Sequence, residues 1–565
     1  MAETGSWTVG RYLAARLTQV GINDYFVVPG DYNLVLLDEF LSDERLRMIS
    51  CCNELNAGYA ADGYARATGG PAAIVVTYSV GGLSALNAVA GAYAESLPLI
   101  AISGGPNTNS TAEYELLHHT LGRVDYDYQR EIFARVTAAA VSIQHPSEAP
   151  RQIDNALQTA LTERRPVYLE VACNIASATV SAPNPIVFCE RPPSDPRALD
   201  AAVEHAARLL GEAIKPVLVA GARLRSAGAS DAFARLAEAS GYAVASMPDA
   251  KGLFSEQDPA YAGIYWGAVG SPGCGEIVES SDLCVFAGGM FTDYTTVGHS
   301  TLVTPSKMIQ ARTDDVLICG ETYSQVRMAD FLEALSSRIS RNDASLKAFA
   351  RVREEPAPSP QPEPDAALTT RALFDRIQSI LGSESTVIAE TGDSWFNGVD
   401  LDLPEGARFE VQMQYGSIGW SVGATLGYCV GAPERRIVAL IGDGSFQLTA
   451  QEISTMIRYG VRPIIFLMNN RGYTIEVEIH DGPYNNIKNW DYAALVAAFN
   501  ADDGNGWSAR ADTTAELDAA IENALAHDGP SLIEVTIDRD DCSKHLLTWG
   551  GHVARNNGRP PRSKG

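Results

Sequence analysis

Ile437-Val-Ala-Leu-Ile441-Gly442-Asp443-Gly444-Ser445 is an apolar, strand-like run that breaks into a glycine–acid–glycine turn. A helical stretch follows, and then a second apolar run, Pro463-Ile-Ile-Phe-Leu-Met468, ends in Asn469-Asn470. Gly442 to Asn470 covers 29 residues, about one strand–helix–strand crossover between parallel strands. Asp443 and Asn470 then both project from the carboxyl ends of strands, where open α/β sheets bind ligands. Oxygen side chains there, beside glycines that let backbone approach a phosphate, suit magnesium held jointly by protein and diphosphate. A Gly-Asp-Gly turn by itself is common; the asparagine pair at crossover distance gives it weight. A nicotinamide or flavin site would want a third glycine where Gln447 stands, and no Gly-Lys-Ser or Gly-Lys-Thr of a Walker loop occurs.

The chain has 565 residues, more than one core accommodates, and three units of about 180 residues fit the usual domain size. Its composition, 46% hydrophobic and 20% charged, is that of a soluble globular protein. The net charge of −26 argues against nucleic acid or an anionic membrane as partner. Nine scattered cysteines without a CxxC pair suit a reducing compartment rather than a disulfide framework or zinc site. No signal-peptide pattern or run of about 20 apolar residues is found, so the expectation is a cytoplasmic protein.

Proline-rich stretches at Ser181–Arg197 and Glu354–Asp365 read as stiff spacers. They divide the chain into 1–182, 198–352 and 366–565. Each part alternates short apolar strands with amphipathic helices, which predicts an α/β fold of three open, mainly parallel sheets. Strands are expected at Tyr25–Val28, Ala73–Thr77 and Leu99–Ser103, at Pro216–Ala220 and Asp282–Ala287, and at Thr386–Ala389, Ile437–Ile441 and Pro463–Met468. The outer parts share a strand–glycine turn–helix rhythm, but no repeat stands out.

Other chemistry-bearing residues lie in Val27-Val-Pro-Gly-Asp31-Tyr-Asn, in Cys51-Cys-Asn-Glu54-Leu-Asn-Ala, in the pair His118-His119 and in Gly472-Tyr-Thr-Ile-Glu476. Glu54 opens a small-residue helix, where a plain acid complementing the helix dipole is the ordinary reading. Adjacent histidines diverge by about 100° on a helix and point oppositely on a strand. They make a poor metal pair and a better proton relay.

Gly442 to Asn470, taken with Glu54, the histidine pair and the segment after Asn470 up to Trp490, resembles the pyruvate decarboxylases among thiamin diphosphate enzymes, from Tyr12 to about Arg555. The resemblance implies that the three parts are pyrimidine-binding, middle and diphosphate-binding domains. It implies non-oxidative decarboxylation of pyruvate to acetaldehyde and carbon dioxide, through a thiamin diphosphate ylide and enamine. Thiamin chemistry needs a carboxyl group that hydrogen-bonds the aminopyrimidine, held in an apolar pocket so that it keeps a proton near neutral pH; Glu54 matches it. Asp31, His118, His119 and Glu476 match the groups that manage protonation and aldehyde release. Asp443, Asn470 and the carbonyl of Gly472 would hold magnesium, with Thr391, Gly444 and Ser445 also at the cofactor. Gly416 and Ile418 match the segment that supports the bent cofactor. Tyr294 and Trp395 match bulky pocket residues that leave room for a methyl but not an aryl side chain. The implied active unit is a homo-oligomer with sites at the dimer interface, commonly a tetramer. The alternatives are a decarboxylase of longer or aromatic 2-keto acids, and a non-catalytic thiamin-fold subunit.

Overall fold

The computed structural model describes residues 6–188, 191–353 and 363–561. Most of the second expected spacer, 354–362, lies outside the described residues. The first ends in a helix rather than a spacer: Pro196 opens Pro196–Glu212, and the Asp195 side chain accepts from the Arg197 and Ala198 amides. Proline suits that place because the first helical amide has no partner to lose.

The strands of the first sheet are β1 (Asp24–Val27), β2 (Arg47–Ser50), β3 (Ala72–Val76), β4 (Leu99–Gly105), β5 (Ala139–Ile143) and β6 (Val167–Ala172). They lie in the order β2-β1-β3-β4-β6-β5, every neighbouring pair parallel. The middle sheet holds β7 (Val217–Ala220), β8 (Ala243–Ser246), β9 (Tyr261–Ile264), β10 (Cys284–Ala287), β11 (Met308–Ala311), β12 (Asp315–Ile318) and β13 (Glu321–Ser324). It runs β13-β12-β11-β10-β7-β8-β9 and departs from the parallel pattern at one edge, where β12 is antiparallel to both β11 and β13. The last sheet holds β14 (Ser385–Ala389), β15 (Arg408–Glu410), β16 (Arg436–Gly442), β17 (Ile464–Asn469), β18 (Trp507–Ala511) and β19 (Ser531–Thr536). Its order is β15-β14-β16-β17-β19-β18, again all parallel. Counted within its own sheet, the last order repeats the first: 2-1-3-4-6-5 in both.

The central strands are apolar on both faces because both faces are covered. Val438, Leu440 and Phe466 feed one core of the last sheet. Ala439, Ile441, Ile465 and Leu467 feed another, which continues without a break into Ile74, Val76 and Ala101 of the first sheet. Between the two sheets lie the helices Glu54–Thr68 and Trp420–Gly431. They meet backbone to backbone: a Cβ on Gly427 would sit 1.7 Å from the Ala60 carbonyl oxygen. Only hydrogen fits there. Beside this contact Arg66 is buried with Asp62 at 2.7 Å, Glu95 at 3.5 Å and Glu410 at 3.4 Å. Arg225, from the middle part, reaches the same Glu410 at 2.7 Å. All three parts of the chain share this charge cluster. Among the described residues no helix is long and apolar enough to cross a membrane.

Candidate active site

β14, β16 and β17 deliver their carboxyl ends to one cavity of about 300 Å³. Thr391, Ile418, Asp443, Gly444, Ser445, Asn470, Gly472 and Glu476 line it. Asp443 follows β16 directly and is fully buried. Burial pushes its carboxyl up to about 6, against the backbone amides that hydrogen-bond it. Arg471 N donates to one oxygen at 2.6 Å and Gly444 N to the other at 2.7 Å. Arg471 can turn back in this way because its φ is +66°.

One end atom of the Asn470 amide lies 3.0 Å from Gly472 O and 3.2 Å from Asp443 Oδ1. With nitrogen there, the amide donates to both. With oxygen there, three oxygens face one another, an arrangement that a hard cation stabilises.

Glu390, which the sequence reading passed over, organises the same edge. It is fully buried, and burial raises its carboxyl. It accepts from Thr391 N at 2.8 Å, Gly419 N at 3.1 Å, Ser421 N at 3.2 Å and Ser421 Oγ at 2.6 Å. These bonds tie the Thr391 segment to the Ile418 segment. Gly416 lies outside the cavity lining, in the turn before Ile418, with φ at +64°. Asp393, Tyr473, Thr474 and Ile475 also line the cavity. Their signal was their position: each sits within a few residues of a recognised group.

Four more of the expected residues gather on the first sheet. Asp31, Glu54 and the histidine loop follow the carboxyl ends of β1, β2 and β4. His118 Nε2 is 2.7 Å from Asp31 Oδ2, and His119 Nε2 is 4.0 Å from Asp31 Oδ1. The histidine rings do not diverge: their centroids are 4.6 Å apart. Helix and strand geometry fail here because His119 has φ of +65°, a left-handed backbone that turns both rings toward Asp31. Tyr32 stacks on His118 at 4.9 Å, and Tyr128 OH donates to His119 O at 2.9 Å.

Glu54 is half-buried in the single chain, not enclosed in an apolar pocket. It begins the helix Glu54–Thr68, capped by the Asn53 side chain, which accepts from Leu55 N at 2.8 Å. A Cβ on Gly81 would come within 3.2 Å of Glu54 Oε1, so that glycine leaves the carboxyl its room. The turn before Gly81 is fixed by buried Gln129, whose amide accepts from Ser79 N and donates to Ser103 Oγ and Tyr168 OH.

The expected residues thus fall into two separate groups: among the described residues, the cavity lining comes from the last part of the chain alone. Trp395 is fully buried, and Tyr294 packs edge-on against it at 5.9 Å. Neither lines the cavity; Trp395 follows the lining segment Thr391–Ser394 from behind, within the core. Burial and the charge of nearby Glu476 raise the Tyr294 hydroxyl.

Three family models match the chain: the N-terminal domain of thiamine pyrophosphate enzymes at residues 7–128, the central domain at 203–335 and the C-terminal domain at 394–535. Pyruvate decarboxylase 4 of Arabidopsis thaliana is 50% identical over 99% of this chain and 94% of that protein. Pyruvate decarboxylase 1 of Pisum sativum is 50% identical over 98% and 94%. The pyruvate decarboxylase of Neurospora crassa is 48% identical over 99% and 98%. The crystal structure of a protein described as a thiamin diphosphate-dependent enzyme from Mycobacterium smegmatis superposes with a TM-score of 0.77 at 22% identity, over 94% of this chain and 100% of that one. At that identity the likeness speaks for the fold.

Proposed function

The chain belongs to the pyruvate decarboxylase family of thiamine pyrophosphate enzymes, and from that premise we propose that it decarboxylates pyruvate to acetaldehyde and carbon dioxide, its two half-sites dividing the work. The observation that carries this reading is the convergence of Asp443, Asn470 and Gly472 oxygens at the head of a cavity. In an octahedral magnesium site with bonds of about 2.1 Å, adjacent ligand oxygens stand about 3 Å apart. Asn470 has that spacing to both neighbours. In this reading Asn470 presents its oxygen, and Asp443, Asn470 and the Gly472 carbonyl hold magnesium. Gly444 and Ser445 would border the diphosphate, Thr391 and Ile418 would flank the rings, and Gly416 would offer its carbonyl to the amino group.

Thiamin diphosphate, when bound, supplies an acidic carbon and an electron sink for loss of the carboxylate. Glu54 holds a proton against the pyrimidine nitrogen. Asp31 orients His118 through Nε2, and the two imidazoles move protons to and from the reacting carbon and oxygen. Glu476, exposed at the cavity edge, keeps charge beside the substrate. The aromatic pair Tyr294–Trp395 limits substrate size by fixing the segment Thr391–Ser394 from behind.

Because the groups of one chain form two halves, a complete site calls for a second copy. We infer a homo-oligomer with active sites between chains, at least a dimer and a tetramer in the family pattern. Strong acidity and free thiols suit a cytoplasmic enzyme acting on a small molecule, without nucleic acid or membrane.

A coupled acetaldehyde assay tests this. Turnover of pyruvate is expected only with thiamin diphosphate and magnesium, with little turnover of phenylpyruvate. A preference for phenylpyruvate would overturn the size argument, and inactivity of cofactor-loaded protein on either acid would overturn the catalytic reading.

A further inference from the structure

Asp31, His118 and His119 each offer one ligand atom, and these atoms lie within 4.8 Å of one another. In the single chain the side chains of Asp31 and His118 are more than half exposed, at 55% and 58%. Two imidazoles from the loop after β4 and a carboxylate from the loop after β1 are a donor set suited to first-row transition ions, with positions left open for water. We propose that this triad binds such an ion, Zn2+ being the probe of choice, and that occupancy silences the enzyme.

Four features of the site support binding. First, the left-handed backbone at His119 removes the usual objection to adjacent histidines as ligands, and the two rings face the same carboxylate. Second, the spacing is close to what an ion needs. Bonds of about 2.0–2.1 Å in a tetrahedron put ligand atoms about 3.3 Å apart. His118 Nε2 stands 2.7 Å from one Asp31 oxygen and His119 Nε2 4.0 Å from the other. One ligand atom from each residue falls within 4.8 Å of the other two, so a turn of the carboxylate and small side-chain shifts bring the set together. Third, an outer shell exists: Tyr32 OH lies 3.5 Å from His118 Nδ1, which leaves Nε2 directed at the ion's position. Fourth, Tyr128 holds the His119 backbone through its carbonyl, so the loop is braced before any ion arrives.

The two sites would divide metals by ligand hardness. Magnesium prefers oxygen and octahedral geometry and goes to the Asp443 set; imidazole nitrogen favours zinc and its neighbours. A bound ion would take the nitrogen lone pairs that carry protons in turnover. The silencing, though not the binding, therefore rests on the proton-carrier reading of the two histidines.

The experiment is a zinc titration of holoenzyme, in excess thiamin diphosphate and magnesium, against a chromophoric zinc indicator, with pyruvate turnover followed in parallel. Expected is one zinc per chain that the His118→Ala/His119→Ala double variant does not bind, with each single variant at least tenfold weaker. Turnover of the unmodified enzyme falls in step with occupancy and returns when zinc is chelated with magnesium kept in excess. Should the alanine pair fail to fold, His118→Gln with His119→Gln removes the same ligands. Equal zinc binding by unmodified enzyme and double variant would overturn the site. Zinc bound as expected with full turnover would uphold the site and overturn the proton-carrier reading.

Discussion

The first and last sheets have one strand order and opposite chemistry. At the carboxyl edge of the first stand two carboxyl side chains and two imidazoles: Asp31, Glu54, His118 and His119. At the same edge of the last, the neutral groups Thr391, Ile418, Asn470 and the Gly472 carbonyl surround buried Asp443, and buried Glu390 ties their segments together. The correspondence reaches single positions. Asp31 and Asp393 each follow a glycine, four residues past the end of β1 and of β14. Glu170 and Glu534 each occupy the fourth position of β6 and β19, both buried. The helix after β2 starts with Glu54, while the helix after β15 starts at Trp420, just past Ile418. Topology therefore sets where a ligand can be met, and a handful of side chains at the strand ends sets the chemistry offered there.

If the two copies act as one body, the strongest way to break them apart is the charge cluster between them. Arg66, on the first copy's helix, is 3% exposed, and Asp62 and Glu410 around it are 0% and 3% exposed. Arg66→Ala leaves Asp62 and Glu95 without this cation and Glu410 with Arg225 alone. Breaking such a pair from one side costs about 3–5 kcal/mol. The melting temperature should fall far more than for Arg208→Ala, whose exposed pair with Glu212 is worth under about 1 kcal/mol. Equal shifts for the two variants would mean that the sheets are held by the apolar contact of Gly427 with Ala60 alone.

How much of this was legible depended on whether the signal was local. Asp443 and Asn470 were readable because a turn and a strand end at crossover spacing carry their own geometry. β3, β4, β16 and β17 were readable as buried apolar runs. β2, with one buried residue in four, the half-buried β5 and the three-residue β15 carry no such run. The repeat escaped notice because it survives as a shared Gly-Asp and a shared Glu-Val, too little to rise above chance. Tyr294 and Trp395 looked like pocket walls, yet nothing in a sequence separates an aromatic that lines a cavity from one packed behind it. The expected divergence of the two histidine rings is not what the structure shows, because a positive φ at His119 cannot be read from neighbours.

Equivalent glutamates offer a finer comparison. Glu534 accepts from two amides, Asn469 Nδ2 at 2.7 Å and Ala493 N at 3.0 Å. Glu170 accepts from two hydroxyls, Tyr168 at 2.9 Å and Ser142 at 3.0 Å, and burial raises its carboxyl from 4.5 to about 7. A carboxyl raised on folding stabilises fully below pH 4.5, and that contribution is lost as pH rises through about 7. Measured against Glu170→Gln, which cannot titrate, the unmodified protein should lose up to about 3 kcal/mol of relative stability across this window. A difference that stays flat with pH would show that burial does not raise the Glu170 carboxyl in the fold.

The smallest effect separates the two helix starts. Asn53 caps Glu54–Thr68 locally, with its own side chain on Leu55 N and Asn56 N. Trp420–Gly431 has no such cap: Gly419 stands there at φ +87°, and its amide and that of Ser421 are satisfied from a distance by Glu390. A local cap is replaceable by water once removed, so Asn53→Ala should cost about 1 kcal/mol. A tertiary cap is not, because Glu390 is buried and its loss strands the amides it serves. Melting temperatures of Asn53→Ala and Glu390→Ala should therefore differ, the second falling further. If Asn53→Ala falls as far as Glu390→Ala, the first helix start is no more independent of the other copy than the second. Glu54 would then owe its position to the interface between the sheets, not to its own turn.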